Sequence, residues 1–345
     1  MKVRTILSWF CIFLVSLIVT VSCTPSQIPT SNTASTPSPT QLVKIGFSAW
    51  PGWFPWQVAQ EQDLFTANKV KANLKWFDGY LDSINALATT QLDGNSQTLN
   101  DTISSVAAGA DLVIVLTNDN SQGNDQIIVR PGINSIKDLK GKKVAAEEGT
   151  VDHFLLLLGL EKAGLTQADI QFQPLETGAA AAAFAAGKLD AVGVFAPFIS
   201  KALLLPKSKA LFSSADFPGA ISDHLVVTRK MIQERHQDVQ ALVNTWFETL
   251  KFIAANKQKA TEIIAKRAGT NIKEYQQYEA GTAIFTLEKN LKAFAPGNDR
   301  TSLSFTAKEI SKSLLKSGLI KQEPDLSKLF DDRFVKAYAD KAGKV

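Results

Sequence analysis

The sequence predicts an α/β protein built as two hinged α/β lobes with a helical C-terminal tail. Its 345 residues exceed the size at which a single hydrophobic core usually stops growing. From residue 42 to residue 228, short apolar runs alternate with longer amphipathic runs, which is typical of a mostly parallel sheet flanked by helices. After Arg229 almost every segment has helical periodicity.

The elements follow in chain order. Leu112–Thr117 is an apolar run of the kind found in strands that are buried on both faces. Runs of this type predict strands at Val43–Ser48, Val70–Phe77, Leu112–Thr117, Gln126–Arg130, Lys143–Ala146, Ile170–Gln173, Ala191–Phe195 and Leu225–Thr228. Amphipathic runs predict helices at Pro55–Thr66, Leu81–Leu92, Val151–Ala163, Ala179–Ala186, Met231–Ala255, Lys257–Arg267 and Thr306–Lys316.

Two polar segments predict the crossings between the lobes. Asn118–Asn124 is expected to carry the chain out, and Pro218–Asp223 to bring it back. Lobe 1 then comprises residues 42–118 and 224–345, with the helical tail packed on it, and lobe 2 comprises residues 119–223. Two crossings of this kind form a hinge.

The first 22 residues have the features of a secretory signal peptide. Lys2 and Arg4 precede the uncharged segment Ile6–Val21. An uncleaved membrane anchor is the alternative, but sixteen residues are fewer than the roughly 20 that span a bilayer. The sequence therefore predicts export.

Residues 20–23, Thr-Val-Ser-Cys, resemble a bacterial lipoprotein signal, in which the cysteine becomes the lipidated first residue. Thr20 departs from that pattern, which usually has an aliphatic residue there. Residues 23–41 are rich in Pro, Ser and Thr and predict a disordered tether. We expect a protein anchored through Cys23 in the periplasm or at the outer face of the cytoplasmic membrane.

Composition excludes several function classes. A net charge of +4 with dispersed basic residues argues against nucleic-acid binding. Two cysteines form neither a disulfide framework nor a zinc site, and no phosphate loop, GxSxG, HExxH or CxxC motif is present. We expect a monomer with no catalytic residue, no cofactor and no metal.

Several motifs resemble the solute-binding proteins of ABC importers, in particular the nitrate/sulfonate/taurine branch, which includes thiamine-precursor binders. The resemblance covers roughly residues 42–290. Its motifs are Val43-Lys44-Ile45-Gly46-Phe47, Ile128-Val129-Arg130-Pro131-Gly132-Ile133, Glu147-Glu148-Gly149-Thr150-Val151, Phe195-Ala196-Pro197-Phe198 and His224-Leu225-Val226-Val227.

The resemblance implies the two-lobed periplasmic-binding-protein fold, type II-like, closing on a small solute. It also implies delivery of that solute to the permease and ATPase subunits of an importer. An enzyme related to thiamine-pyrimidine synthesis is the alternative within this fold. That enzyme depends on a cysteine-rich motif, and the mature chain has no cysteine beyond its first residue. We therefore expect a binding protein and not an enzyme.

Loops at the carboxyl ends of the strands are expected to form the ligand site. Four of the six tryptophans lie between residues 50 and 76, and the loop that holds Trp50 and Trp53 does not need them for packing. Acids before helices have an alternative role as helix caps. The residues expected to contact the ligand are Trp50, Trp53, Tyr80, Asp82, Thr98, Asp125, Glu148, Thr150 and Asp223.

Charge distribution separates the candidate ligands. Residues 76–129 contain no Lys or Arg and seven aspartates, of which Asp93 and Asp111 are expected to be solvated. Unpaired carboxylates would repel an anion, whereas carboxylates and aromatic rings suit a cation. We expect a small cationic or neutral nitrogenous solute, such as a guanidinium, amine or aminopyrimidine. The alternative ligand is an anion, namely an aliphatic sulfonate, taurine or nitrate.

Overall fold

A computed structural model describes residues 42–343, which fold around two β-sheets. The predicted signal peptide, the tether as far as residue 41 and Cys23 lie outside these residues. The strands are β1 Val43–Phe47, β2 Ala72–Trp76, β3 Gly94–Thr98, β4 Leu112–Ser121, β5 Asp125–Val129, β6 Lys143–Ala146, β7 Gln171–Pro174, β8 Ala191–Phe195, β9 Lys209–Ser213, β10 Ser222–Thr228 and β11 Thr282–Ile284.

Fourteen helices surround the sheets within residues 42–343. They are α1 Pro55–Glu61, α2 Leu64–Ala67, α3 Tyr80–Ala88, α4 Leu99–Ala107, α5 Val151–Lys162, α6 Thr177–Ala185, α7 Phe198–Ala202, α8 Arg229–Glu234, α9 His236–Ala255, α10 Lys257–Ala268, α11 Ile272–Ala280, α12 Leu287–Phe294, α13 Leu303–Ser317 and α14 Arg333–Ala342. None of the helices in this part of the chain is both long and apolar enough to cross a membrane.

The first sheet has the strand order β11-β4-β10-β3-β1-β2, and the second has the order β7-β6-β8-β5-β9. The chain leaves the first sheet at the end of β4 and returns to it at the start of β10. The expected α/β architecture with two lobes is thus observed. The lobe limits at 118/119 and 223/224 stay predictions, and they fall inside β4 and β10.

The prediction of mostly parallel sheets is wrong, because both sheets are mixed. In the first sheet β1 pairs in parallel with β2 and β3, but β10 runs antiparallel to β3 and β4. In the second sheet β5 runs antiparallel to β8 and β9. The physical reason in the first sheet is the hinge: β4 leaves it and β10 returns beside β4, so these neighbours run in opposite directions.

Two predicted helices are each broken in two. Pro55–Thr66 becomes α1 and α2, because Asp63 between them has a left-handed backbone with φ of 52°. Met231–Ala255 becomes α8 and α9, separated at Arg235, where φ is −138°. The sequence patterns set no limits for β3, β9, β11, α4, α7, α11, α12 and α14.

The C-terminal segment packs on the first sheet. The Ile114 N–H in β4 donates to the Leu329 carbonyl at 2.7 Å. The Asn290 side chain of α12 accepts from the Thr117 N–H at 2.8 Å and donates to the Thr117 carbonyl at 3.0 Å. Trp56 of α1 packs against Trp246 of α9, with ring centroids 4.8 Å apart. These contacts hold the C-terminal segment against the backbone of β4 and hold α1 against α9.

Candidate functional site

A small closed cavity lies between the two sheets, where loops from both converge. The first sheet and its loops contribute Trp50, Trp53, Tyr80, Thr98 and Asp223, and the second contributes Asp125, Val151 and Phe195, with Ile221 from the returning segment. The cavity has a volume of about 10 Å³, which is close to what one water molecule requires. The cleft is therefore closed in this structure.

Aromatic rings from the two sides meet across the cleft. Phe195, at the end of β8, meets Trp50 edge-on with centroids 6.3 Å apart and Tyr80 edge-on at 6.2 Å. Trp53 lies 5.3 Å from Tyr80 on the first-sheet side. Such rings present π faces on which a cation or a planar group can be held.

The tryptophan loop is fixed to a buried carboxylate. The Trp50 indole Nε1 donates to Asp119 Oδ1 at 2.9 Å. Gly52 permits this approach, because a Cβ added there would lie 1.8 Å from Asp119 Oδ2. The indole Nε1 of Trp53 is buried and has no hydrogen-bond partner within the described residues. The loop therefore leaves one free donor beside the cavity.

Three buried aspartates cluster where the sheets meet. Asp119 on β4 and Asp223 on β10 are direct register partners, and their carboxyl groups can share a hydrogen bond when one of them is protonated. Asp125 lies at the start of β5, and none of the three is more than 1% exposed. Among the described residues, the Oδ2 atoms of Asp119, Asp125 and Asp223 have no hydrogen-bonding donor.

A second acidic group continues this cluster. The Thr177 hydroxyl lies 3.0 Å from Glu147 Oε2 and 2.9 Å from Asp152 Oδ2, so it bridges two carboxyl groups. Asp101 accepts from the Thr98 hydroxyl at 2.7 Å and from the backbone N–H of Val151. The N-terminus of α5 therefore already faces a carboxylate of this chain.

Burial is the main reason why the pKa values of these carboxyl groups are raised. It raises the pKa of Asp101, Asp119, Asp125 and Glu147 to about 7. Burial and the neighbouring acids also raise the pKa of Asp152 and Asp223, and that of the Tyr80 hydroxyl. We assign the proton of the Asp119–Asp223 pair to Asp223, whose pKa is raised further by the charge of Asp119.

No positive charge balances the cluster within residues 42–343 of the structure. The cavity wall contains no Lys, Arg or His. His224 follows Asp223 on β10, but burial lowers its pKa to about 3, so the ring is neutral. In the same part of the chain no group of three or more His, Cys, Asp or Glu side chains could hold a metal ion.

Six of the nine residues expected to contact a ligand line the cavity together: Trp50, Trp53, Tyr80, Thr98, Asp125 and Asp223. Thr150 is buried but lies outside the wall, and its hydroxyl donates to the Glu147 carbonyl at 2.9 Å. Asp82 and Glu148 are exposed, because each lies on the solvent side of its segment. Without a ligand in the structure, the role of all nine stays a prediction.

The sequence reasoning did not select Val151, Phe195 and Ile221 for the wall, or Glu147 for the buried acidic group. Phe195 ends a strand, and the rule that ligands bind at strand ends could have identified it. Glu147 is 5% exposed and Glu148 is exposed. No sequence signal distinguishes two adjacent glutamates at the end of a strand.

Comparisons with known proteins place the chain in a family. A Brucella abortus protein described as a binding protein is 30% identical over 155 residues, covering 43% of this chain and 47% of its own. The match thus spans about half the length of that relative. A protein of Escherichia coli named as an aliphatic sulfonates-binding protein is 29% identical over 247 residues, covering 70% of this chain and 76% of its own.

The fold is also that of solved structures. The crystal structure of the periplasmic aliphatic sulphonate binding protein SsuA from Escherichia coli superimposes with a TM-score of 0.69 and 24% identity, covering 85% of this chain and 92% of that one. The model of the NMT1-like family matches residues 36–269. Because this match spans more than half of the sequence, the chain belongs to the NMT1-like family.

Proposed function

We propose that this protein is the extracytoplasmic solute-binding component of an ABC importer. It captures one small solute by closing the cleft between its lobes and presents it to the permease and ATPase subunits. The relatives named as binding proteins and the fold of periplasmic binding proteins support this role. The names of these relatives as binding proteins favour a binding role without enzymatic activity. We further propose that the protein is a monomer, held at the membrane by a lipid on Cys23.

The proposed cargo is a small cationic or neutral nitrogenous solute of the guanidinium, amine or aminopyrimidine type. One observation carries this proposal: unpartnered carboxylate oxygens and ring faces meet in a cavity with no basic residue in its wall. A cation supplies the missing charge and the missing hydrogen-bond donors. A ring face adds about 0.5–2 kcal/mol to the binding of such a cation.

The second candidate cargo is an aliphatic sulfonate or taurine, or nitrate. The name of the Escherichia coli relative favours it, at 29% identity over 70% of this chain. The free indole Nε1 of Trp53 is a donor that such an anion could use. The N-terminus of α5, another donor site for anions, faces Asp101 instead.

Thermal unfolding with both ligand sets tests the proposal. Guanidinium, methylammonium and 4-aminopyrimidine form one set, and taurine, ethanesulfonate and nitrate form the other. A solute that binds only the folded protein raises the melting temperature, and the rise grows with the logarithm of its concentration above the Kd. Stabilisation by the first set alone supports the cationic cargo, and stabilisation by the second set alone replaces it with the anionic one. Native mass spectrometry of solute that co-purifies with the protein gives an independent answer.

A further inference from the structure

Three carboxyl oxygens at the hinge have no hydrogen-bonding donor among the described residues. They are the Oδ2 atoms of Asp119, Asp125 and Asp223, each belonging to a residue no more than 1% exposed. A buried acceptor without a donor is costly, and the cost is larger when the group is charged. Each oxygen therefore needs a hydrogen that either a carboxyl proton of the cluster or a bound ligand can supply.

Two sources of hydrogen fit this site, and they compete. One is a carboxyl proton, such as the one that joins Asp119 to Asp223 across β4 and β10. The other is an N–H group of a bound cation. A carboxyl proton removes the negative charge that attracts a cation, and a bound cation in turn favours the ionised carboxylate, so each disfavours the other.

The surrounding groups add negative charge and no positive charge. Asp119 faces Asp125 on β5 and the phenol of Tyr275 on α11. Asp223 faces Asp125, Asp101 on α4 and the phenol of Tyr80 on α3. Asp125 also faces Asp152 on α5. Among the described residues, no Lys, Arg or His lines the cavity beside the pair.

We propose that the cleft takes up its solute in exchange for protons, and that this exchange selects cations with at least two N–H donors. The proposal rests on the proposed cationic cargo and specifies its chemistry. Asp125 belongs to the second sheet and Asp223 to the first, so a cation that donates to both joins the two sides. The Asp119–Asp223 pair then carries two negative charges instead of one.

The exchange is balanced. A carboxyl O–H bond breaks and its proton passes to the solvent, while the cation keeps its own N–H bonds and donates two of them to carboxylate oxygens. No oxidant or reductant takes part. A quaternary ammonium ion carries the same charge but no N–H, so it leaves the acceptors unsatisfied and cannot replace the proton.

Isothermal titration calorimetry of the full exported chain tests the exchange directly. Guanidinium is titrated at pH 6.5 in buffers of different ionisation enthalpy, and the slope of the heat against that enthalpy counts the protons. We expect release of about one proton per solute near pH 6.5, and a smaller release as the pH rises and the free pair loses its proton. Tetramethylammonium, the matched ion without N–H groups, should bind at least roughly tenfold more weakly. Binding of guanidinium without proton release, or equal binding of both ions, overturns the proposal.

Two variants test whether the released protons come from the Asp119–Asp223 pair. Asp223→Asn resembles the protonated side chain and can still donate to Asp119, so the fold is expected to persist. It should release fewer protons and bind guanidinium roughly 30-fold more weakly at pH 8. Glu323→Gln removes one exposed carboxylate far from the cleft and should match the original protein. An Asp223→Asn protein that releases as many protons as the original overturns the assignment.

A measurement without ligand separates this proposal from the proposed cargo. Carbon-13 NMR of the aspartate carboxyl groups follows the pair in the free protein. Retention of one proton by the pair at neutral pH supports the exchange. Ionisation of both carboxyl groups in the ordinary aspartate range overturns it, whatever the cargo is. Proton uptake on binding taurine, with no response to guanidinium, would instead reject the cationic cargo itself.

Discussion

The substitution Asp125→Asn should stabilise the solute-free protein at neutral and basic pH. The Asp125 carboxyl lies at the start of β5, is 1% exposed and lacks a donor at Oδ2 among the described residues. Burial raises its pKa from 3.8 to about 7. An amide has nearly the same shape but cannot ionise, so the variant avoids the cost of a buried negative charge.

The size of the effect follows from the pKa difference. One pKa unit corresponds to 1.36 kcal/mol, so a rise from 3.8 to about 7 corresponds to about 4 kcal/mol. The folded state holds the Asp125 proton more tightly than the unfolded state does. The stabilisation that this proton gives the original protein is therefore complete below pH 3.8 and is lost as the pH rises through 7. The stability gain from Asp125→Asn should therefore be near zero at pH 3.5 and reach about 4 kcal/mol at pH 8.

Urea unfolding at pH 4, 6 and 8 measures this difference. The protein is first refolded from denaturant without ligand, since a retained solute would stabilise the original carboxylate. Glu323→Gln serves as the control and should stay within about 0.5 kcal/mol of the original protein at each pH. If the variant is no more stable than the original protein at pH 8, the Asp125 carboxylate does not destabilise the folded state and the prediction is wrong.

Three further predictions concern the loop and the outer surface of the cleft. Trp50→Phe removes the indole donor of Asp119 and should lower the free energy of unfolding in urea by about 1–3 kcal/mol; an unchanged value contradicts the hydrogen bond. Gly52→Ala places a methyl group against the Asp119 carboxylate and should lower the free energy of unfolding by about 1–3 kcal/mol. Gly343→Ala is the control and should be nearly neutral in the same assay, because its added Cβ would lie 3.5 Å from its nearest neighbour. Glu161→Gln breaks the exposed ion pair of Glu161 on α5 with Lys316 on α13. It should change the free energy of unfolding in urea by at most about 1 kcal/mol, and a larger loss would contradict a weak surface ion pair.

The sequence predicts the architecture well where apolar periodicity is strong. The apolar run Leu112–Thr117 predicts a buried strand, and it forms the first six residues of β4. Periodicity fails at β3, whose residues Gly94–Thr98 are all buried although four of the five are polar. Hydrogen bonds replace the apolar signal there: Trp56 Nε1 donates to Ser96 at 3.0 Å, and Gln97 donates to Thr102 at 3.0 Å.

The sequence predicts the chemistry of the candidate site better than its exact residues. The absence of Lys and Arg from residues 76–129 already indicated an acidic cleft. It could not show that Asp119 and Asp223 are register partners, because they are 104 positions apart and meet only through the pairing of β4 with β10. Nor could it orient Asp82, whose position in the first turn of α3 is compatible with either a cap or a ligand contact.

The protonation state of the cluster connects the two candidate cargoes. Ionised, the carboxylates accept hydrogen bonds from a cation; protonated, the same groups can donate to an anion such as a sulfonate. Since Asp101, Asp119 and Asp125 each have a pKa of about 7, either state is accessible near neutral pH. Because binding is coupled to protonation, the two cargoes predict opposite dependences of affinity on pH. The affinity for a cation must rise between pH 5 and 8, and the affinity for an anion must fall over the same range. The sign of that slope therefore decides the cargo, and it does so even if both kinds of ligand bind weakly at a single pH.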